Sequence, residues 1–282
     1  MESLNVRKKT LWRQLLTLLL CVLALLFLAP IAMILINSFK GSVFITVDPF
    51  SLPTGEMFTG MGNYVSGVEK INFWHAFGWS LFITVCSVAV IVLFSAMTGW
   101  YITRVKRVFT KVIYYAMVFS MVVPFQMVMF TMSKFANVLH LDNPYGIILI
   151  YLGFGSGLST FMFSGFVKAI PIDIEEAAMI DGCGPIRTFF AIVFPVLRPT
   201  AITVAILNTM WIWNDYLLPT LLLDSRHRTI PIAVQYLKGG YGSIDMGAMM
   251  AVLIMAIIPI VVFYLSCQKH IIKGVVAGAV KG

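Results

Sequence analysis

Long runs without a charged side chain limit what this 282-residue sequence can fold into. Five runs contain no Asp, Glu, Lys or Arg, and they cover residues 15–36, 76–103, 112–133, 143–167 and 246–268. A sixth run, 199–223, is interrupted only by Asp215. Each run reaches the length of about 20 apolar residues with which a helix crosses the hydrocarbon core of a bilayer. Only helices satisfy their own backbone polar groups in lipid without closing into a barrel. The sequence therefore predicts an all-α membrane protein with six transmembrane helices, in a single domain that covers residues 1–282.

Composition supports the same class of protein. Hydrophobic residues make up 60% of the chain and charged residues 11%, whereas a soluble domain carries about 25% charged residues. The first run is too long for the apolar core of a signal peptide and no Ala-x-Ala site follows it, so we expect a retained first span. Pro30, Pro124 and Pro259 lie inside runs, where each permits a kink. The four cysteines have neither disulfide nor metal-ligand spacing, and no metal site is predicted.

The distribution of basic residues predicts the orientation in the membrane. With the N-terminus in the cytoplasm, the inner segments are residues 1–14, 104–111, 168–198 and 269–282. Six of the 20 Lys and Arg residues then lie outside: Lys40, Lys70, Lys134, Arg226, Arg228 and Lys238. The excess on the inner side follows the positive-inside rule. We therefore expect both termini in the cytoplasm, and the net charge of +8 needs no nucleic-acid partner to explain it.

The inner segment 170–199 contains helix signals of its own. Asp173 is placed to cap a first helix, and Glu176 three residues later completes a capping-box pattern. Gly182 stands where a glycine ends a helix, and Pro185 stands in the first turn of a second helix. The segment is therefore predicted to form a helix-turn-helix on the cytoplasmic face. Its small, acid-edged first helix suits a groove in another protein.

An amphipathic helix lying on the inner leaflet is the alternative explanation of this segment. Such a helix presents a basic polar face opposite large apolar side chains. The first predicted helix instead bears Glu175, Glu176 and Asp181, which anionic lipids would repel. Docking to a protein is therefore the preferred interpretation.

The segment resembles the EAA loop of ABC-importer permeases through Glu176-Ala177-Ala178, Gly182 and the more distant Ile192 and Pro195. In that family the loop is a coupling helix that seats in a cleft of an ATPase subunit. Similarity to the smaller permease of maltose-type sugar importers extends to residues 36–40, 211–216 and the Gly-rich tail 274–282. The resemblance implies the type I ABC importer permease fold, with residues 170–199 as the coupling loop and residues 269–282 as a cytoplasmic tail.

The resemblance also implies a function and a set of partners. The chain is expected to form half of the translocation pathway of an ATP-driven importer for a sugar or oligosaccharide, in the inner or plasma membrane of a bacterium or archaeon. The expected partners are a second permease subunit, two ATP-binding cassette ATPases that bind the ATP and Mg, an extracytoplasmic sugar-binding protein and membrane lipid. The expected ATPase-coupling residues are Glu175, Glu176, Ala177, Ala178, Asp181, Gly182 and Pro195 in the loop and Gly274, Gly278 and Lys281 in the tail. Without the resemblance, the tail would be interpreted as a frayed terminus.

Asp215 is a functional candidate because a charged residue inside a span is costly. Four neighbours offer aromatic faces and an amide, the groups with which proteins bind sugars: Trp211, Trp213, Asn214 and Tyr216. A belt of Trp and Tyr at the membrane interface, with a hydrated Asp215, explains the same pattern. Both explanations stay open, and the resemblance implies that the second permease can hold the sugar instead.

The source of energy separates the candidate functions. The sequence contains no G-x-x-x-x-G-K-[ST], so no P-loop holds ATP, and the chain is predicted to be non-catalytic and without a cofactor of its own. The energy for active transport then comes from a partner. Two alternatives are an ion-coupled carrier or channel with a cytoplasmic regulatory loop, and a membrane-anchored assembly factor without transport. Only the importer requires an ATPase bound at residues 170–199.

Overall fold

The computed structural model describes residues 2–238 and 244–279, with side chains at residues 12–237 and 244–268. Within these residues the regular structure is helical, apart from one β-bridge between Lys40 and Phe58. The α-helices are α1 (Glu2–Asn37), α2 (Ser42–Val47), α3 (Gly62–Ile71), α4 (Phe73–Arg104), α5 (Val108–Ser120), α6 (Phe125–Val138), α7 (Gly146–Val167), α8 (Asp173–Ile180), α9 (Pro185–Thr188), α10 (Phe194–Val196), α11 (Arg198–Trp213), α12 (Leu217–Leu222), α13 (Ile230–Gln235) and α14 (Met246–Ala279). Shorter turns are 3₁₀-helical at Gly55–Met57 and Tyr236–Lys238 and π-helical at Phe189–Val193.

Four stretches of helix in the described residues are long and apolar enough to cross a membrane unaided: Trp12–Asn37, Phe73–Arg104, Gly146–Val167 and Met246–Gln268. They correspond to the first, second, fourth and sixth predicted spans. The third predicted span falls on α5 and α6, which are bent by 110° at a short break. The fifth covers α11 and α12, and α11 is itself bent by 77° from the preceding Pro185–Val196. The structure confirms an all-helical membrane protein with four to six spans. The third and fifth predicted spans are each divided between two helices.

Pro124 ends a helix instead of kinking one. α5 stops at Ser120, and Pro124 adopts an extended conformation (φ −61°, ψ 134°) directly before α6. Proline has no N–H to donate to the preceding turn, and its ring clashes with the carbonyl four residues back. The break of the third span therefore has a local cause. Pro30 and Pro259, by contrast, lie inside α1 and α14.

The fifth predicted span divides because the chain leaves the helix after Trp213. α11 ends there and α12 begins at Leu217. The Asp215 carboxylate caps α12, because its Oδ1 accepts hydrogen bonds from the backbone N–H of Leu217 (3.0 Å) and Leu218 (3.5 Å). Asp215 thus lies at a junction between two helices and not within one.

The chain forms two compact units, of which the first comprises Met1–Phe73 and Val234–Ile258. Here a Cβ added to Gly67 would lie 2.7 Å from the Val252 side chain, so α3 and α14 pack closely. Lys40 is fully buried and its Nζ donates to the Asp48 carbonyl oxygen (2.8 Å). The prediction of a single domain over residues 1–282 stays a prediction.

The second unit comprises Trp74–Ala233 and Pro259–Gly282, and α4, α7 and α11 supply much of its core. α4 and α7 touch at Gly99, where an added Cβ would lie 2.8 Å from the Cβ of Phe163. One core cluster joins Ala96 of α4 and Phe163 of α7 to Phe189 and Val193 of the π-helical turn. The segment 170–199 is therefore packed into the helix bundle and does not hang from it as a free loop.

Candidate functional site

The segment 170–199 folds as the predicted helix-turn-helix. α8 is followed by a turn, then by α9, the π-helical turn and α10. Gly182 adopts a left-handed conformation with φ +80°, as a glycine does where a helix ends. The Gly182 N–H donates to the Met179 carbonyl (3.0 Å) and the Cys183 N–H to the Ala178 carbonyl (2.9 Å). These two bonds form a Schellman motif, which fixes the direction of the chain after α8.

The beginning of α8 differs from the prediction. No side chain caps the helix, and Asp173 is its first residue, so the predicted capping box of Asp173 and Glu176 is wrong. Ile172 already has helical dihedral angles, and its carbonyl accepts from the N–H of Glu175 (2.8 Å) and of Glu176 (3.0 Å). The helix therefore starts one residue earlier than expected, which moves Asp173 out of the capping position. The acids of the first turn still complement the positive end of the helix dipole.

Glu175 points into the protein, and its side chain is 3% exposed. Its Oε1 accepts hydrogen bonds from Arg104 Nε (2.9 Å) and Nη2 (2.7 Å), and its Oε2 accepts one from Trp100 Nε1 (2.8 Å). A buried carboxylate needs such a cation and such donors, because burying a charge without them is costly. Sequence reasoning placed Glu175 among the residues that contact an ATPase. In the structure its carboxylate is instead bound by Arg104 and Trp100 of the same chain. We call Trp100, Arg104 and Glu175 the α4–α8 joint.

The outer surface of α8 combines small, acidic and large apolar residues. Glu176, Ala177, Asp181 and Gly182 are exposed, as is Pro195 in α10, whereas Ala178 is buried. Sequence reasoning missed the exposed apolar residues of this surface, which are Ile174, Met179, Ile180 and Ile186. Their presence in a loop between spans was the signal available, because solvated loops rarely need four large apolar side chains. We call the exposed residues of α8 and its following turn, with Ile186, the α8 face.

The tail residues are only partly described. Gly274 and Gly278 belong to α14, which continues as a helix to Ala279. Lys281 lies outside the described residues.

The residues around Asp215 make two separate aromatic contacts, one with Tyr151 and one with Phe77. Asp215 Oδ2 accepts a hydrogen bond from the Tyr151 hydroxyl (2.9 Å), and Trp211 packs edge-on against the same tyrosine at 5.4 Å. Trp213 is buried and packs against Phe77 at 5.8 Å. Sequence reasoning missed Tyr151, which lies in α7. Since the Asp215 carboxylate is occupied by Tyr151 and by the α12 cap, its contacts favour a structural anchor.

The other two predicted residues of this region, Asn214 and Tyr216, are exposed. Asn214 Nδ2 donates to the Met210 carbonyl (2.7 Å), so its amide oxygen points away from that bond. Tyr216 is exposed, although its backbone carbonyl accepts from the Thr220 hydroxyl (2.6 Å). A role for Trp211, Trp213, Asn214, Asp215 and Tyr216 in a substrate pathway stays a prediction.

A cavity of about 510 Å³ lies within the second unit, between α4, α11 and residues 259–263 of α14. Its lining is apolar apart from Thr84, Thr209 and the indole of Trp213. Sites for polar ligands combine an apolar lining with several placed polar groups. This cavity therefore does not by itself form a sugar site.

Comparison with known proteins identifies the family. Residues 91–276, more than half of the chain, match the family described as "Binding-protein-dependent transport system inner membrane component". The "Probable starch degradation products transport system permease protein AmyC" of Thermoanaerobacterium thermosulfurigenes is 40% identical over 98% of this chain and 100% of that protein. The "Multiple sugar-binding transport system permease protein MsmG" of Streptococcus mutans is 34% identical over 93% of this chain and 95% of that protein.

A solved structure supports the fold. One chain in the crystal structure of a bacterial ABC transporter involved in the import of the acidic polysaccharide alginate matches with a TM-score of 0.78, over 93% of this chain and 97% of that chain. The sequence identity of 22% limits this likeness to the fold. The fold of this chain is therefore that of a chain in a solved ABC transporter. The chain belongs to the family of binding-protein-dependent transport system inner membrane components and is a multi-pass, non-catalytic permease subunit.

Proposed function

We propose that this permease forms half of the translocation pathway of an ATP-driven importer for a sugar or oligosaccharide. The two relatives are named for starch degradation products and for multiple sugars, and both align over nearly the whole chain. A second permease subunit supplies the other half of the pathway, and an extracytoplasmic binding protein delivers the sugar. Two ATPase subunits, which bind ATP and Mg, drive the cycle from the cytoplasmic side of a bacterial or archaeal inner membrane. Both termini of the chain lie on that side.

The observation that carries this proposal is the α8 face. Ile180 is 86% exposed at the end of a short helix whose direction is fixed by the turn at Gly182. Ala177 and Gly182 let another surface approach the backbone closely, while Ile174 and Ile186 add apolar area on either side. Protein interfaces have apolar, charge-depleted centres with polar rims, and here Glu176 and Asp181 supply the acidic rim. The α8 face is therefore the proposed seat of an ATPase subunit.

The tail is the second proposed ATPase contact. This assignment rests on the resemblance of Gly274, Gly278 and Lys281 to the tail of maltose-type permeases. In those permeases the tail reaches between the two ATPase subunits.

For the residues around Asp215, we propose that Asp215 anchors the wall of the pathway while Asn214 and Tyr216 face it. No observation favours an ion-coupled carrier, a channel or an assembly factor over the importer.

Co-purification tests the proposal. The second permease and the ATPases are expressed with this chain, and ATPase recovered with the permease pair is measured. Ile180→Asp places a charge at the centre of the α8 face and should lower ATPase recovery at least tenfold. Val47→Asp is the matched control, because Val47 is 75% exposed on α2 and lies outside the segment. Normal ATPase recovery with Ile180→Asp would refute the α8 face as the docking site.

Reconstitution tests the pathway. The permease by itself should transport no sugar in liposomes, whereas the complete complex with its binding protein should transport sugar on addition of ATP. Uptake by the isolated permease would contradict the proposal that two permeases share the pathway.

A further inference from the structure

The α4–α8 joint ties one end of α4 to α8 and to the chain on both sides of α8. Arg104 contacts Glu175 of α8, and its Nη2 also donates to the Ile170 carbonyl at the end of the preceding connection (2.9 Å). Trp100 donates to Glu175 and packs against Phe189 at 5.5 Å, the first residue of the π-helical turn. The C-terminal end of α4 therefore contacts α8, the chain that precedes α8 and the chain that follows α8.

The chemistry of the joint favours fixed geometry over stability. The Arg104 side chain is 18% exposed and the Glu175 side chain 3%. A buried ion pair gains little net stability, since the cost of removing both charges from water offsets most of their attraction. Two guanidinium N–H groups and one indole N–H nevertheless fix the Glu175 carboxylate in position and orientation. A displacement of α8 must therefore move the end of α4 or break several charge-assisted hydrogen bonds.

α4 is suited to carry such a displacement. It runs without a break from Phe73 to Arg104, and at 1.5 Å per residue the distance along the helix from Phe77 to Trp100 is about 35 Å. Near its other end, Phe77 packs against Trp213 and the Ser80 hydroxyl accepts a hydrogen bond from the Ile230 N–H (2.8 Å). One unbroken helix thus connects the segment 170–199 to the region of Asp215.

The direct route along the chain is not one continuous helix. From the segment 170–199 to Trp213, the chain passes through the π-helical turn and through the bend of 77° before α11. π-Helical turns and sharp bends interrupt the regular hydrogen bonds of an α-helix. The joint and α4 therefore form a path through one unbroken helix, whereas the covalent connection is interrupted twice.

We propose that Arg104 and Trp100 are positioning residues for energy coupling. Through the α4–α8 joint they make α4 move together with α8, so that a movement of α8 reaches the Phe77–Trp213 contact. This inference rests on the proposed docking of an ATPase at the α8 face. It predicts that loosening the joint uncouples ATP hydrolysis from transport while the complex still assembles.

The test uses the complete transporter in proteoliposomes and measures sugar transported per ATP hydrolysed. Arg104→Ala removes the cation of the joint and should lower this ratio about fivefold. Trp100→Phe keeps the aromatic packing and the ion pair and removes only the indole N–H bond, so it should lower the ratio about twofold. The exchange Arg104→Glu with Glu175→Arg should restore part of the ratio lost in Arg104→Ala. Lys70→Ala, which breaks an ion pair to Asp245 elsewhere in the chain, should leave the ratio unchanged.

The outcomes distinguish this inference from the proposed function. An unchanged ratio in Trp100→Phe and Arg104→Ala, with Ile180→Asp still losing the ATPase, would overturn the role of the joint alone. Normal ATPase recovery with Ile180→Asp would overturn the docking proposal and the joint with it. If Arg104→Ala lowers the yield of complex, the ratio of sugar transported to ATP hydrolysed in Trp100→Phe decides whether the joint acts in coupling. A loss of yield in Trp100→Phe without a change in the ratio would show that the joint only stabilises the fold.

Discussion

The hydroxyl of Tyr151 donates a hydrogen bond of 2.9 Å to Oδ2 of Asp215, and the other carboxylate oxygen caps α12. Tyr151 is fully buried in the core of the second unit, where it also packs against Trp211. Both oxygens of Asp215 therefore have partners within the chain. An acid in this position holds three helices, α7, α11 and α12, in a fixed arrangement, which explains its presence in an apolar run without a bound sugar.

Tyr151→Phe should destabilise the permease and leave its sugar preference unchanged. The variant loses one hydrogen bond at a buried site, worth about 1 kcal/mol, and Asp215→Ala should cost more because it also removes the α12 cap. The midpoint of thermal unfolding of the purified complex and the ratio of uptake for two competing sugars are measured on the same preparations. Asn214→Ala is the comparison, because it changes a more accessible residue of the same region. An altered sugar preference at normal stability in Asp215→Asn would instead assign Asp215 to the pathway.

Gly182→Ala should weaken ATPase docking by changing the backbone and not by filling space. Gly182 has φ +80°, where an L-residue costs about 1–2 kcal/mol, while a Cβ added there would meet nothing within 4 Å. Recovery of ATPase with the permease should fall several-fold as the turn after α8 shifts. Gly184→Ala is the matched control, since Gly184 has φ −69° and equally open space. Equal losses in both variants would show that the turn geometry is not what matters.

The sequence predicts an all-helical membrane protein correctly because helix length and apolarity are local properties. It fails where the outcome depends on contacts between distant residues. The partners Arg104 and Glu175 are 71 residues apart, and Tyr151 and Asp215 are 64 apart. The break at Pro124 was predictable in position, but its angle of 110° depends on packing against the rest of the bundle.

α8 shows why the face of a short helix is hard to predict. Neighbouring residues on a helix point about 100° apart, so Glu175 is buried while Glu176 is exposed. A hydrophobic pattern would place Ile174 and Ile180 inside and the acids outside. The structure reverses this arrangement for Glu175, because Arg104 supplies a buried cation, and for Ile180, whose exposure fits the proposed docking of a partner. Local periodicity therefore misleads where a distant residue of the chain, here Arg104, decides which side chain is buried.

Gly157→Ala should destabilise the bundle because α5 approaches α7 closely at this point. An added Cβ would lie 2.7 Å from the Met117 carbonyl oxygen, which is backbone and cannot rotate away. Small residues allow such approaches between membrane helices, and overpacking typically costs about 1–3 kcal/mol. Gly153→Ala on the same helix is the control, since its Cβ would meet nothing within 4 Å. The fraction of complex that stays monodisperse after heating should fall for Gly157→Ala only, and equal behaviour of the two variants would contradict the close approach.

The ion pair of Lys70 and Asp245 should make part of the stability depend on pH. Burial alone would raise the pKa of Asp245, but hydrogen bonds from Lys70 and from the Ala248 N–H (3.0 Å) outweigh it, so the pKa is lowered. A carboxyl whose pKa is lower in the folded state contributes stability above its unfolded pKa of about 3.9, and this contribution disappears as the pH falls through the folded value. Lys70 is half-exposed, which limits the contribution to about 1 kcal/mol or less.

Asp245→Asn should therefore lower the unfolding midpoint at pH 7, and the difference from the unaltered protein should shrink as the pH falls below about 4. Both proteins are unfolded by denaturant in detergent at several pH values between these limits. Glu69→Gln is the control, because Glu69 is an exposed acid adjacent in sequence to Lys70. It should leave the midpoint nearly unchanged at neutral pH. A deficit of Asp245→Asn that is the same at both ends of the range would contradict a contribution from the ion pair, since the pairing with Lys70 requires the charged carboxylate.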